Sequence, residues 1–179
     1  MRNKTTQFIT IAAIVASLYT VLTILTNFIP PIGGVFQFRA AEAMCILPMF
    51  TPAAIPGLAI GCLLTNIIIG AGAWDIIFGT LATLLGAVIS FLLAYRKNDI
   101  TGGNFTLRAI LAAIPPVITN ALLIPIVIFQ MSPELPRTFG TYMLTALDVA
   151  WGELICAGIL GVGLAFALRP YIKRMLDKK

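Results

Sequence analysis

The sequence predicts an all-α integral membrane protein: a bundle of six transmembrane helices with both termini cytoplasmic. Composition is the first observation behind this. Hydrophobic residues make up 59% of the chain and charged residues 11%, where a soluble domain carries about a quarter charged residues. Mean hydropathy is +0.99. The second observation is the recurrence of apolar windows of roughly 20 residues, the length that crosses a bilayer. The third is charge placement. Arg2, Lys4, Arg96, Lys97, Arg108, Arg169, Lys173, Arg174, Lys178 and Lys179, ten of the twelve basic residues, fall on one side of a six-span arrangement. Arg39 and Arg137 fall on the other, so the preference of basic residues for the cytoplasmic side fixes the orientation.

Residues 1–179 read as a single transmembrane domain with no room for a separate soluble one. The first span, Phe8–Ile29, is longer than the apolar region of a signal peptide and no small-residue cleavage site follows it, so it is expected to stay as a helix. Ala12 and Ala16, with Ala13 and Ser17 beside them, form a small-xxx-small pair that suits close helix packing, either within the chain or against a partner. Asn27, Pro30, Pro31, Gly33 and Gly34 end that helix in a loop. The second span, Phe38–Phe50, covers roughly 20 Å at ~1.5 Å per residue, short for a hydrocarbon core of ~30 Å. Pro48, Pro52 and Pro56 disfavour one continuous helix into the third span, Ala53–Ile69. That span holds Gly57 and Gly61, a G-x-x-x-G pair. A Gly-rich stretch to Trp74 leads to the fourth span, Asp75–Tyr95. Polar residues Arg96 to Asp99 and Gly102-Gly103 separate it from the fifth, Leu107–Phe129, where Pro115, Pro116 and Pro125 predict kinks. The sixth, Tyr142–Leu168, carries Asp148, Trp151 and Glu153 early and the small stripe Ala157, Gly161, Ala165 late.

Several function classes drop out. No G-x-x-x-x-G-K-[ST] loop is present, so nucleotide hydrolysis by that route is absent from this chain. There is no His, and Cys45, Cys62 and Cys156 stand singly in separate apolar segments, which argues against zinc or dithiol chemistry and for buried free thiols. No catalytic residues, metal or cofactor are assigned. The net charge of +5 follows the orientation rule and gives no nucleic-acid signature.

With the predicted orientation, polar residues from five segments converge near the outer surface: Arg39, Glu42, Asn66, Trp74, Asp75, Asn120, Asp148, Trp151 and Glu153. Charged groups inside spans are costly and face a cavity, a partner or a ligand. Each has a plainer reading. Arg39 and Glu42, three apart, can pair with each other. Asp75 can cap its helix, and the tryptophans can be interfacial anchors. Glu153 lies five residues from Asp148, roughly 140° round the helix, so the two acids need not touch one object. Four acids, Glu42, Asp75, Asp148 and Glu153, face Arg39. That balance suits a ligand rich in N–H donors or carrying positive charge, and the tryptophans offer flat surfaces to an aromatic ring.

The motif FQFRAAEAMCILPMFTPAAIPGLAIGCLLTN, followed by AWDIIFGTLATLLGA, resembles the QueT family, substrate-binding S components of energy-coupling factor (ECF) transporters associated with queuosine precursors. The resemblance covers most of the chain and is most specific over Phe38 to Gly86. It implies an S-component-like six-helix fold, an outward-facing pocket and a deazaguanine substrate such as preQ1, preQ0 or queuine. It also implies a multi-pass protein of the cell membrane, with an ECF transmembrane coupling subunit and two ATPase subunits as partners, and toppling in the bilayer when the ATPases work. Ala12/Ala16 resembles the Ala-x-x-x-Ala motif by which such components dock. Glu42 and at least one of Asp75, Asp148 and Glu153 are expected to contact the base, with Trp74 or Trp151 stacking on it and Arg39 orienting Glu42. Three other readings compete, the first being an S component for another vitamin-like base. A self-sufficient proton-coupled secondary transporter would use the membrane acids as proton sites, but no internal repeat is visible. An intramembrane enzyme lacks a nucleophile paired with a base.

Overall fold

The computed structural model describes residues 3–28, 39–96, 99 and 101–177. The expected loop at Pro30, Pro31, Gly33 and Gly34, the first residue of the predicted second span, Phe38, and the basic or polar residues Arg2, Lys97, Asn98, Lys178 and Lys179 lie outside them. The described residues build six helices and no strand: α1 (Lys4–Asn27), α2 (Ala40–Met49), α3 (Ala54–Ile68), α4 (Asp75–Ala94), α5 (Phe105–Met131) and α6 (Phe139–Met175). Four of them, α1, α4, α5 and α6, are long and apolar enough to cross a membrane; α2 and α3 are shorter.

α2 is the centre of the bundle. Ala41, Cys45, Ile46, Met49 and Glu42 are all buried, and the helix packs against α1, α3, α4, α5 and α6. It is wound as a 3-10 helix over 10 residues, longer than such runs usually persist. The tighter winding rises about 2.0 Å per residue, so α2 reaches farther than an α-helix of equal length. It also brings residues three apart into line, which places Arg39, Glu42 and Cys45 along one edge. An irregular backbone at membrane depth is tolerated where protein surrounds it, and α2 meets that condition.

Close approach of α1 and α3 is built on glycine. A methyl group at Gly57 would lie 2.8 Å from the Ala12 carbonyl oxygen and from Val15 Cβ, and one at Gly61 would lie 2.9 Å from the Ala16 carbonyl oxygen. The Thr20 hydroxyl donates to the Gly61 carbonyl at 3.2 Å. The Gly57/Gly61 pair therefore packs inside the chain, and Ala12 and Ala16 face it. Ala13 and Ser17 stay exposed beside them. α3 ends where Gly70 takes φ 70°, with Ala71 N–H donating to the Asn66 carbonyl and Gly70 N–H to the Ile67 carbonyl, the paired bonds of a Schellman termination.

The prolines of α5 do not break it; the helix is continuous from Phe105 to Met131. Pro116 has no N–H, which orphans the Ala112 carbonyl four residues back. Ser90 of α4 supplies the missing donor, its hydroxyl reaching the Ala112 carbonyl at 2.6 Å. Gly86, one turn earlier, lets α4 lie against Pro116 and Thr119, each 3.0 Å from where a Cβ would stand.

At the end of the bundle that holds the start of α5, two arginines tie the loop to the helices. Arg108 donates from Nε to the Ala94 carbonyl at 2.9 Å and from Nη1 to the Asp99 carbonyl at 2.6 Å. Arg169 donates to the Thr101 carbonyl at 2.9 Å and lies 4.5 Å above the Phe105 ring. The sequence marked both only as orientation signals.

Leu at Gly57 and Gly61 together forces α1 and α3 apart against backbone, which cannot yield as a flexible side chain would. We expect a loss of about 1–3 kcal/mol per site, read as a lower unfolding temperature in detergent, whereas Leu at Gly163, which has open space around it, leaves that temperature unchanged. Equal behaviour of the two variants would contradict the packing described.

Candidate functional site: an acid-lined cavity at one end of the bundle

A cavity of about 430 Å³ opens at the end of the bundle opposite the Arg108–Arg169 cluster. Its wall draws on the last turn of α1 (Asn27), the entry to α2 (Arg39), the end of α3 (Ile69, Ala71), the start of α4 (Asp75), the second half of α5 (Asn120, Ile124) and the first half of α6 (Asp148, Glu153, Cys156). Adjacent helices run in opposite senses, so these termini share one end. The volume suits a small ligand, for which pockets run from roughly 300 Å³ upward.

Two carboxylates sit where helices loosen. Asp75 is the first residue of a π-helical stretch, Asp75–Gly79, and Glu153 immediately precedes another, Leu154–Leu160. Single π turns inside α-helices re-aim side chains and concentrate at functional sites. Gly79 leaves the room that Asp75 and Asn66 occupy: a Cβ there would stand 3.0 Å from Asp75 Oδ1 and 3.3 Å from Asn66 Nδ2. The Asn66 amide donates to the Asp75 carbonyl at 3.1 Å, pinning the end of α3 to the start of α4.

The charges pair differently from the sequence expectation. Arg39 Nη2 lies 4.0 Å from Asp75 Oδ2, so Arg39 pairs across to α4 where a pairing with Glu42 on its own helix was expected. Glu42, only 2% exposed, is held by other groups: the Tyr19 hydroxyl donates to Oε1 at 2.5 Å and the Cys45 thiol to Oε2 at 3.2 Å. Both oxygens have partners, and Glu42 is not part of the cavity wall among the described residues. Glu42 is thus engaged inside the bundle, and Arg39 faces Asp75.

Glu153 is the buried acid of the cavity wall. It is 8% exposed and Asn120 4%, and both line the cavity. The two stand close enough for the Asn120 amide to act on the Glu153 carboxyl, and together they place a polar donor and acceptor in the wall. Asp148 shares the cavity, half-buried. Helical spacing alone separates Asp148 from Glu153, yet both reach one space.

The remaining expected residues lie elsewhere. Asn66 is buried and structural. Trp74 is 45% exposed and stacks on Phe78 at 5.5 Å, and Trp151 is 64% exposed; neither lines the cavity. Residues the sequence did not flag also matter. Tyr19 carries no motif signal inside its apolar span, and Asn27 and Cys156 line the wall, the former readable only as a polar residue at a span end.

A membrane-type helical bundle with a small, acid-lined cavity at one end and no cluster of metal ligands among the described residues has the form of a solute-binding or transport protein. The QueT transporter family matches residues 9–170, and the chain belongs to it. The queuosine precursor transporter QueT of Lactococcus lactis subsp. cremoris (strain MG1363) is 34% identical over 99 residues, 55% of this chain and 57% of that relative; the match spans little more than half of its length. No solved structure matches the chain.

Tyr19→Phe removes the shorter of the two bonds to Glu42 without changing shape. We expect a stability loss of about 1–3 kcal/mol by thermal unfolding in detergent. An unchanged unfolding temperature would show that Glu42 does not depend on this donor.

Proposed function

We propose that the protein is the substrate-binding S component of an ATP-driven ECF-type importer and takes up a queuosine precursor, a deazaguanine, through the cavity. The observation that carries this reading is the pairing of Glu153 and Asn120, both buried and both in the cavity wall. A deazaguanine edge offers ring and exocyclic N–H donors side by side, next to a carbonyl acceptor. A carboxylate accepts the two donors and the Asn120 amide serves the carbonyl, so the edge complements the pair group by group. Ile124, Val127 and Ile128 supply apolar wall for the ring. Family membership supports transport in place of catalysis, as does the precursor named for the Lactococcus relative.

In this reading the chain is a multi-pass protein of the cell membrane. The charge asymmetry supports cytoplasmic termini, which turns the cavity outward and the Arg108–Arg169 end inward. A transmembrane coupling subunit and two ATPase subunits complete the importer. α1 is the docking helix. Since Ala16 is buried against Gly61 and the Ala12 carbonyl against Gly57, the contact with the coupling subunit centres on the exposed neighbours Ala13 and Ser17, and Ala12 and Ala16 set the helix spacing behind them.

Glu153→Gln tests the reading. It replaces an acceptor oxygen with a donor and keeps the shape. Calorimetric titration of aminomethyl-deazaguanine into purified protein is expected to show a tenfold to hundredfold loss of affinity, the scale of about 1–3 kcal/mol. Trp151→Phe, outside the cavity, is expected to bind as wild type does. Full affinity in Glu153→Gln would contradict this assignment of the base edge.

A further inference from the structure

We propose that Asp148 is a cation subsite that makes the cavity select precursors carrying an amine over those whose side group is neutral. This rests on the placement of the base edge at Glu153 and Asn120. The charge inventory is the starting point. The described cavity wall carries one guanidinium, Arg39, and three carboxylates, Asp75, Asp148 and Glu153. Arg39 is engaged with Asp75, and Glu42, close behind the wall, adds a fourth carboxylate whose donors are a phenol and a thiol, not a cation. A neutral ligand that closes this cavity strips water from the acids and returns no positive charge. An ammonium group supplies the missing charge and forms the stronger class of hydrogen bond.

Geometry separates the two tasks. Asp148 precedes Glu153 by five residues on α6, so their Cα atoms differ by about 7.5 Å along the helix axis and roughly 140° around it. Both nevertheless line the same cavity. The two carboxylates therefore address different ends of one ligand. Glu153, buried and paired in function with Asn120, meets the base edge in the deeper part. Asp148 is half-buried and meets whatever projects past the carbonyl end of that edge, away from the exocyclic amine. In a deazaguanine precursor that projection is the substituent on the five-membered ring: an aminomethyl group, cationic at neutral pH, or a nitrile, which is neutral and accepts hydrogen bonds. A carboxylate attracts the first and repels the nitrile's electron-rich nitrogen, so one residue yields both the attraction and the rejection that specificity needs.

The experiment compares aminomethyl-deazaguanine with cyano-deazaguanine by calorimetry on purified wild type, Asp148→Asn and Asp148→Glu. Wild type is expected to bind the amine at least tenfold more tightly. Asp148→Asn is expected to erase that preference by weakening the amine about tenfold while the nitrile gains affinity, and Asp148→Glu to restore it. Equal binding of the two compounds by wild type, or equal weakening of both by Asp148→Asn, would overturn the proposal. If the nitrile then still loses affinity in Glu153→Gln, the base-edge reading survives that failure; if wild type binds neither compound, both fall together.

Discussion

A carboxylate at the centre of a membrane bundle must find its donors inside the protein, because lipid offers none. Glu42 meets that requirement through the Tyr19 hydroxyl and the Cys45 thiol, and the rest of the architecture follows from it. The bond to Tyr19 joins α1 to α2, so α2 can stand in the middle of the bundle with helices on every side. The same α1 is drawn against α3, where Gly57 and Gly61 leave no side chain to keep the backbones apart. With α2 fixed at the centre, its first turn carries Arg39 to the cavity rim and within reach of Asp75.

Many polar groups elsewhere obey the same rule. Ser90 supplies a donor to the carbonyl that Pro116 abandons, Asn66 ties down the Asp75 carbonyl, and Arg108 gathers the carbonyls at the far end. Glu153 and Asn120 stand out as polar groups buried in the wall of the cavity itself. Thr80 Oγ1 and Arg108 Nη2 are without partners among the described residues, but neither borders that cavity. A π stretch starts at Asp75 and another follows directly on Glu153.

The class of fold was legible because lipid imposes a strong and simple code: long apolar windows, few charges, basic ends. Helix positions followed from prolines and glycines, so α3, expected at Ala53–Ile69, runs Ala54–Ile68. The convergence of Arg39, Asp75, Asn120, Asp148 and Glu153 followed from depth, since antiparallel helices bring known ends together. Depth does not give azimuth, and there the sequence was silent. Whether Glu42 faced the cavity or Tyr19 depended on the 3-10 winding of α2, which no local residue preference announces. Trp74 and Trp151 lay at the right depth but on outward faces. Ala12 and Ala16 matched a docking motif and an internal one equally well, and only the position of Gly57 and Gly61 decides which surface they meet. Ser90 and Pro116 are partners across two helices, a relation that spacing within one segment does not encode.

The central claim is that the substrate lies between Glu153 and Asn120. The most direct test is an experimental structure of the protein with aminomethyl-deazaguanine bound. The account predicts the base edge within hydrogen-bonding distance of the Glu153 carboxylate and the Asn120 amide, with Glu42 still bonded to Tyr19. A ligand seated on Glu42 with the Tyr19 bond broken, or placed outside this cavity altogether, would contradict it.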